Sequence, residues 1–164
     1  MNDSGPGLRD TDKGMQEIRK QIAALSQKYV KAGIVEGSGS VDGVDIAQYA
    51  AWNEYGVPGK PGGKKKWRIP PRPFIRGFVE NNLEKIKATQ ERLLKQVSAG
   101  KMTADVAIGR LGQYAQDGIK RYIVGGNFEP NAEATIQRKG SSRPLIDTGT
   151  MRNTVRYQIV KSGK

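Results

Sequence analysis

The chain has 164 residues, of which 36% are hydrophobic, with 28 basic and 16 acidic residues for a formal net charge of +12. It contains neither Cys nor His, which excludes disulfides, thiolate catalysis, Cys-ligated zinc and a Ser-His-Asp triad, and removes the commonest general base and metal ligand. The length suits one ordinary domain with a modest core, the mean hydropathy of −0.63 points to long exposed segments or to surface buried only in an assembly, and the charge favours an acidic partner.

Residues 1–12 are polar and read as a flexible arm rather than a signal peptide. No 18-residue apolar run exists, so no transmembrane helix is expected. Residues 13–164 read as a single α+β domain. Met15, Ile18, Ile22, Leu25 and Tyr29 recur at helical spacing and predict an amphipathic helix whose stripe faces the core, with Thr11 or Asp12 placed to cap it. Val30–Gly37 predicts a strand of about six residues, followed by a flexible loop through Gly43. Asp42-Gly43-Val44-Asp45 lacks the remaining ligand positions of a calcium loop.

From Asp45 the pattern is helical. Asp45 or Asp42 caps this helix, and Gly56 stops it. Tyr49, Trp52 and Tyr55 lie along it, a cluster that suits core, a subunit interface or base stacking. Residues 57–68 form a Gly/Pro loop carrying a basic run. Between Lys60 and Arg76 lie seven basic residues and no acid. Lys60, Lys64, Lys65, Lys66 and Arg68, with Trp67 among them, are candidates for contact with phosphates or an acidic partner; a solvated loop that keeps the chain soluble is the other reading. No fixed-geometry motif for reading bases accompanies them.

Ile69-Pro70-Pro71-Arg72-Pro73 reads as a stiff extended strut, because three prolines fix φ and bias the preceding residues to extended geometry. Pro73 suits the first position of a helix, and the strut feeds a long helical pattern from Phe74 to about Val97, roughly 36 Å in length. Phe74 and Phe78 sit one turn apart on it. Gly100 ends it. A second helix is expected from Thr103 to Val124, with Thr103 as cap and Asp105 in the first turn. Gly109, Gly112 and Gly118 interrupt its stripe, each at about 1 kcal/mol against alanine. Close approach of another helix backbone is the expected compensation, so the two helices form an antiparallel hairpin around Ser98–Met102. A turn at 125–131, a short helix at 132–139 and a turn at 150–153 capped by Thr148 or Asp147 follow. Val155, Tyr157 and Ile159 alternate on one face of a last strand, whose natural partner is the strand near 31–36. The Asp147-Thr148-Gly149 triplet occurs in aspartic proteases, but here it precedes a helical turn rather than sitting in a β-rich lobe, and capping explains it better.

Four pieces stand in a familiar order: Ala50-Ala51-Trp52-Asn53-Glu54-Tyr55-Gly56, Ile69-Pro70-Pro71-Arg72-Pro73-Phe74, Gly126–Asn131 with Thr135–Gly140, and Pro144–Gly149. Over about residues 30–160 the chain resembles the small neck and tail-completion proteins of tailed bacteriophages, the virion-morphogenesis and minor-tail group. The resemblance implies a structural virion protein and no enzyme, cofactor, metal or small-molecule substrate. It would be assembled in the host cytoplasm and sit at the head–tail junction as a homo-oligomeric ring, with six-fold symmetry favoured and twelve-fold the alternative. Its implied partners are neighbouring tail terminator, tail tube or head-completion proteins, with DNA in the lumen. A nucleic-acid-binding protein using the basic segment 60–76 is the competing reading. The contacts between subunits or rings are expected at Trp52, Tyr55, Ile69, Pro71, Arg72, Pro73, Phe74 and Phe78, at Asn127 and Phe128, and at Leu145 and Asp147.

Overall fold

The computed structural model describes residues 13–140, 142–146 and 148–162. The N-terminal arm, the caps at Thr11 or Asp12 and Asp147 lie outside the described residues. The amphipathic stripe forms α1 (Lys13–Ser26), which ends before Tyr29 because β1 (Lys28–Gly33) claims that residue. β1 pairs antiparallel with β6 (Arg156–Lys161), from Lys28 opposite Lys161 to Gly33 opposite Arg156. The expected pairing of first and last strands is therefore present. The expected half-buried face is only partly so. Val155, just before β6, is fully buried and Tyr157 is half-buried, but Ile159 is exposed.

The segment after β1 is more ordered than its Gly/Ser content suggests. β2 (Ser40–Val41) and β3 (Val44–Asp45) close a tight ribbon, with Asp42 and Gly43 both at positive φ, the signature of a turn whose twist matches a hairpin. Asp45 then caps α2 (Ile46–Tyr55) by accepting hydrogen bonds from the amides of Ala47 and Gln48. The basic loop also departs from expectation. Its ends are zipped by β4 (Val57–Pro58) and β5 (Trp67–Ile69), so it is a hairpin excursion.

The long helical hairpin is α3 (Phe74–Ser98) and α4 (Ala104–Gly125). Gly100 sits at φ 68° after α3, where the Lys101 amide donates to the Gln96 carbonyl and the Gly100 amide to that of Val97; this paired closure needs the left-handed residue that glycine supplies. Thr103 caps α4, and Gln21 of α1 accepts a hydrogen bond from the Ala104 amide at 2.7 Å. α3 is kinked at Asn82, whose φ of −127° is not helical. The Asn81 and Asn82 side chains donate to the carbonyls of Gly77 and Phe78, an insertion into the backbone ladder of the kind that bends helices.

Two short helices complete the chain: α5 (Glu133–Lys139) and α6 (Thr150–Thr154). The cap of α6 is Gly149 in left-handed geometry, and Thr148 contributes only a 3.4 Å bond from the Thr150 amide. The main core joins α2, α3, α4 and α6 through Ile46, Ala50, Phe74, Phe78, Ile119, Ile123, Met151 and Val155. A second cluster, Leu93, Val97 and Ala107, sits at the closed end of the hairpin under Leu25 of α1.

The glycines of α4 do not serve a helix–helix backbone crossing. A Cβ built on Gly118 would lie 2.2 Å from the Phe78 ring, and one on Gly112 would lie 2.2 Å from the Tyr157 ring. They are sockets for aromatic side chains from α3 and β6. Gly118→Ala and Gly112→Ala should each destabilise the fold by about 1–3 kcal/mol through overpacking. Gly125→Ala, with nothing within 4 Å, should leave the thermal midpoint unchanged or slightly raised. Thermal unfolding followed by circular dichroism checks the contrast; equal midpoints for all three would mean that the sockets do not form.

Candidate functional site

The strut Ile69–Pro73 is braced against the chain itself. α3 begins after three prolines, and Pro73 offers no side-chain acceptor to its first amides. The acceptor comes from α2. Glu54 is its only charged residue, and the carboxylate oxygens of Glu54 accept from the amides of Ile75 and Arg76, each at 2.9 Å. An anion at a helix N-terminus is stabilised by the free N–H groups and the dipole, which explains how a carboxylate only 6% exposed is tolerated here.

Arg72 makes the opposite link. Its amide donates to the Asn53 carbonyl. Its guanidinium donates from Nε to the Glu129 carbonyl at 2.7 Å and from a terminal nitrogen to the Pro130 carbonyl at 3.0 Å. The residue is 6% exposed. Burial lowers the Arg72 pKa from its ordinary value, while Tyr49 and Glu129 act in the raising direction. Gly56 allows the strut to cross the end of α2. It lies at φ 80°, and a Cβ there would come within 3.0 Å of both Pro71 and Trp67.

The end of α2, the strut and the segment at 129–130 thus meet in one place. Asn53, Glu54 and Gly56 hold the strut, and the strut holds the segment at 129–130. Asn131 donates to the Arg143 carbonyl, and Leu145 packs into the same core. This convergence corrects four expected interface residues. Phe74 (0% exposed), Phe78, Arg72 and Leu145 are buried within their own chain, so their side chains are not available to a neighbouring subunit. Tyr55 is 71% exposed. Asn127 is exposed, and Trp52, Ile69, Pro71, Pro73 and Phe128 are half-buried. Phe128 packs edge-on against Tyr122, with ring centroids 5.6 Å apart. Glu54 was not among the expected residues. Its signal was available: a lone acid at the end of an otherwise uncharged helix, ahead of a helix start that has no cap of its own.

Beside this hub stands the basic hairpin. The Gly59 amide donates to the Lys66 carbonyl and the Gly63 amide to that of Lys60, each at 3.0 Å, so the excursion beyond β4 and β5 is folded. Lys60, Lys64, Lys65, Lys66 and Arg68 are exposed, Trp67 is half-buried, and the Lys66 ammonium lies 6.0 Å from the Trp67 ring centroid. A cleft of about 660 Å³ separates the hairpin from residues 129–135; Tyr49, Trp67 and Arg68 are among the residues lining it. Among the described residues no three His, Cys, Asp or Glu side chains gather as a metal site, and no helix is long and apolar enough to cross a membrane.

No protein-family model, curated protein or solved structure matches the chain. Its reading therefore rests on its own geometry. Arg72→Met should remove two charge-assisted bonds and leave two carbonyls short of a donor, at a cost of about 3 kcal/mol and a midpoint lower by about 6–12 °C. Glu54→Gln keeps one acceptor of two and should cost about 1–2 kcal/mol. Chemical denaturation of both variants checks the order; an unchanged Arg72→Met would show that the hub does not form in solution.

Proposed function

We propose that the chain is a non-enzymatic structural subunit of a phage head–tail junction, which assembles as a homo-oligomeric ring. The observation that carries this reading is surface area. The protein exposes 11,846 Å², where a compact monomer of 18.0 kDa exposes about 8,000 Å². The fourteen terminal residues outside the described set would account for no more than about 2,200 Å² of the excess, even as unfolded chain. The remainder is in the range that a specific interface buries.

Part of that surface is apolar and ordered. Leu83 and Leu94, both beyond the Asn82 kink of α3, are 46% and 48% exposed, and a spacing of eleven residues returns to nearly the same side of a helix. Leu94 also borders a groove of about 370 Å³ between α3, α4 and the end of α1. A second copy is the occupant that the excess area favours, because ring contacts are heterologous and join two different faces of the same subunit. The order of the four resembling pieces supports a head–tail ring, and a body stiffened at Glu54 and Arg72 suits a ring subunit.

With Phe74 fully buried, Phe74→Ala would cost about 3–5 kcal/mol and unfold the chain rather than dissociate it. Leu83→Lys with Leu94→Lys is the appropriate probe. Sedimentation velocity and negative-stain imaging of the purified wild type should give closed rings. The double variant should retain its helix signal and sediment as a smaller species. A wild type that remains monomeric at tens of micromolar, on the order of the concentrations at which such assemblies form, would sink the ring reading. Deletion of the reading frame from the encoding phage should leave DNA-filled heads beside separate tails.

A further inference from the structure

We infer that the β4–β5 hairpin is an arm that seats the phosphodiester backbone of double-stranded DNA without reading its sequence. The inference goes beyond the assembly reading and holds for a free subunit as well as for a ring. Three observations carry it. The first is charge without compensation. Lys60, Lys64, Lys65, Lys66 and Arg68 fall within nine positions that contain no acid, and none of the five forms an ion pair among the described residues. Among the described lysines only Lys20, Lys28 and Lys87 are ion-paired, so what sets the hairpin apart is the crowding of its five cations, whereas on α3 Glu84 and Glu91 stand among Lys85, Lys87, Arg92 and Lys95. Crowded like charges oppose folding, so nothing in the fold itself accounts for this run.

The second observation is order. The excursion is held at its root by the β4–β5 pairing and by the Gly59–Lys66 bond, and at its tip by the Gly63–Lys60 bond. A Cβ on Gly59 would lie 2.0 Å from the Lys65 carbonyl oxygen, so the two sides of the hairpin are in close contact. The cations are therefore presented from a fixed support and not from a loose tether. Less ordering entropy is then lost on binding.

The third observation distinguishes nucleic acid from an acidic protein. Protein interfaces have an apolar core and are depleted in Lys. This hairpin offers at its tip only Lys, Gly and Pro, and its single aromatic, Trp67, is half-buried at the root. Phosphate contacts, by contrast, draw on point charges of this kind and need no fixed pattern of donors.

The test is equilibrium binding of the purified full chain to a mixed-sequence 30-base-pair duplex (roughly three helical turns) as salt is raised. Five neutralised phosphates predict an affinity that falls about 500-fold between 50 and 200 mM salt. For Lys64→Gln with Lys65→Gln and Lys66→Gln the fall should shrink to about 12-fold, and for the independent pair Lys60→Gln with Arg68→Gln to about 40-fold. A charge-matched control on the outer face of α3, Lys85→Gln with Arg92→Gln and Lys95→Gln, should keep the wild-type salt dependence. The inference is overturned by no binding at 50 mM salt, by an equal loss in the control, or by equal affinity for polyglutamate or for vesicles of anionic lipid. Sedimentation in the same buffers separates the two readings: monomers that bind duplex defeat only the ring, and rings that do not bind it defeat only the arm.

Discussion

The orientation of α3 depends on a carboxylate twenty residues upstream of it. A helix that starts behind three prolines has free amides at its first turn and no local side chain to satisfy them. Glu54 supplies both acceptors from the last turn of α2, and in doing so fixes the angle between the two helices. α4 packs on α3, and β1 and β6 pack on α4, so an error at this one contact would propagate through the molecule. Both oxygens are used, which is the condition under which a buried charge is stable.

Arg72 extends the same logic in the other direction. A chain with so few apolar residues has limited means of specifying geometry by packing alone. Directional bonds from a planar guanidinium to two consecutive carbonyls fix a loop in position and rotation together. The hub is thus a polar device in the middle of a modest hydrophobic core. A chain held in this way behaves as a rigid body, and rigidity reduces the ordering entropy lost in any binding event.

Much of the architecture was legible in the sequence. The periodicity of α1, α2, α3 and α4, the caps at Asp45 and Thr103, the stop at Gly100 and the pairing of the first and last strands all follow from local pattern. What escaped were features whose partners are far away. Arg72 stands next to a basic run and reads as one more surface cation, because its acceptors at 129 and 130 are invisible to a local pattern and Arg is seldom buried. Phe74 and Phe78 read as contact residues because they follow the strut, yet Phe74 is fully buried and Phe78 fills the Gly118 socket within the chain. Gly112 and Gly118 correctly announced close approach but not what approached. A glycine marks missing volume without saying whether a backbone or a ring fills it. The Asn82 kink has no proline to signal it. Tyr29 shows tertiary pairing overriding a helical period that otherwise continued unbroken from Met15.

The pairing of β1 with β6 has a consequence for the order of events during synthesis. The sheet joins residue 28 to residue 161, so it encloses nearly the whole of the described chain. Closing so long a loop is entropically slow, and contacts this distant form late. The α3–α4 hairpin is local in sequence, so its contacts do not wait for the last strand. Until that strand docks, β1 presents an unpaired edge, and the Tyr157 ring that fills the Gly112 socket is missing. A nascent or truncated chain is therefore structurally distinguishable from a finished one. Any partner that required the closed sheet would engage only completed chains, a form of quality control built into topology rather than supplied by a chaperone.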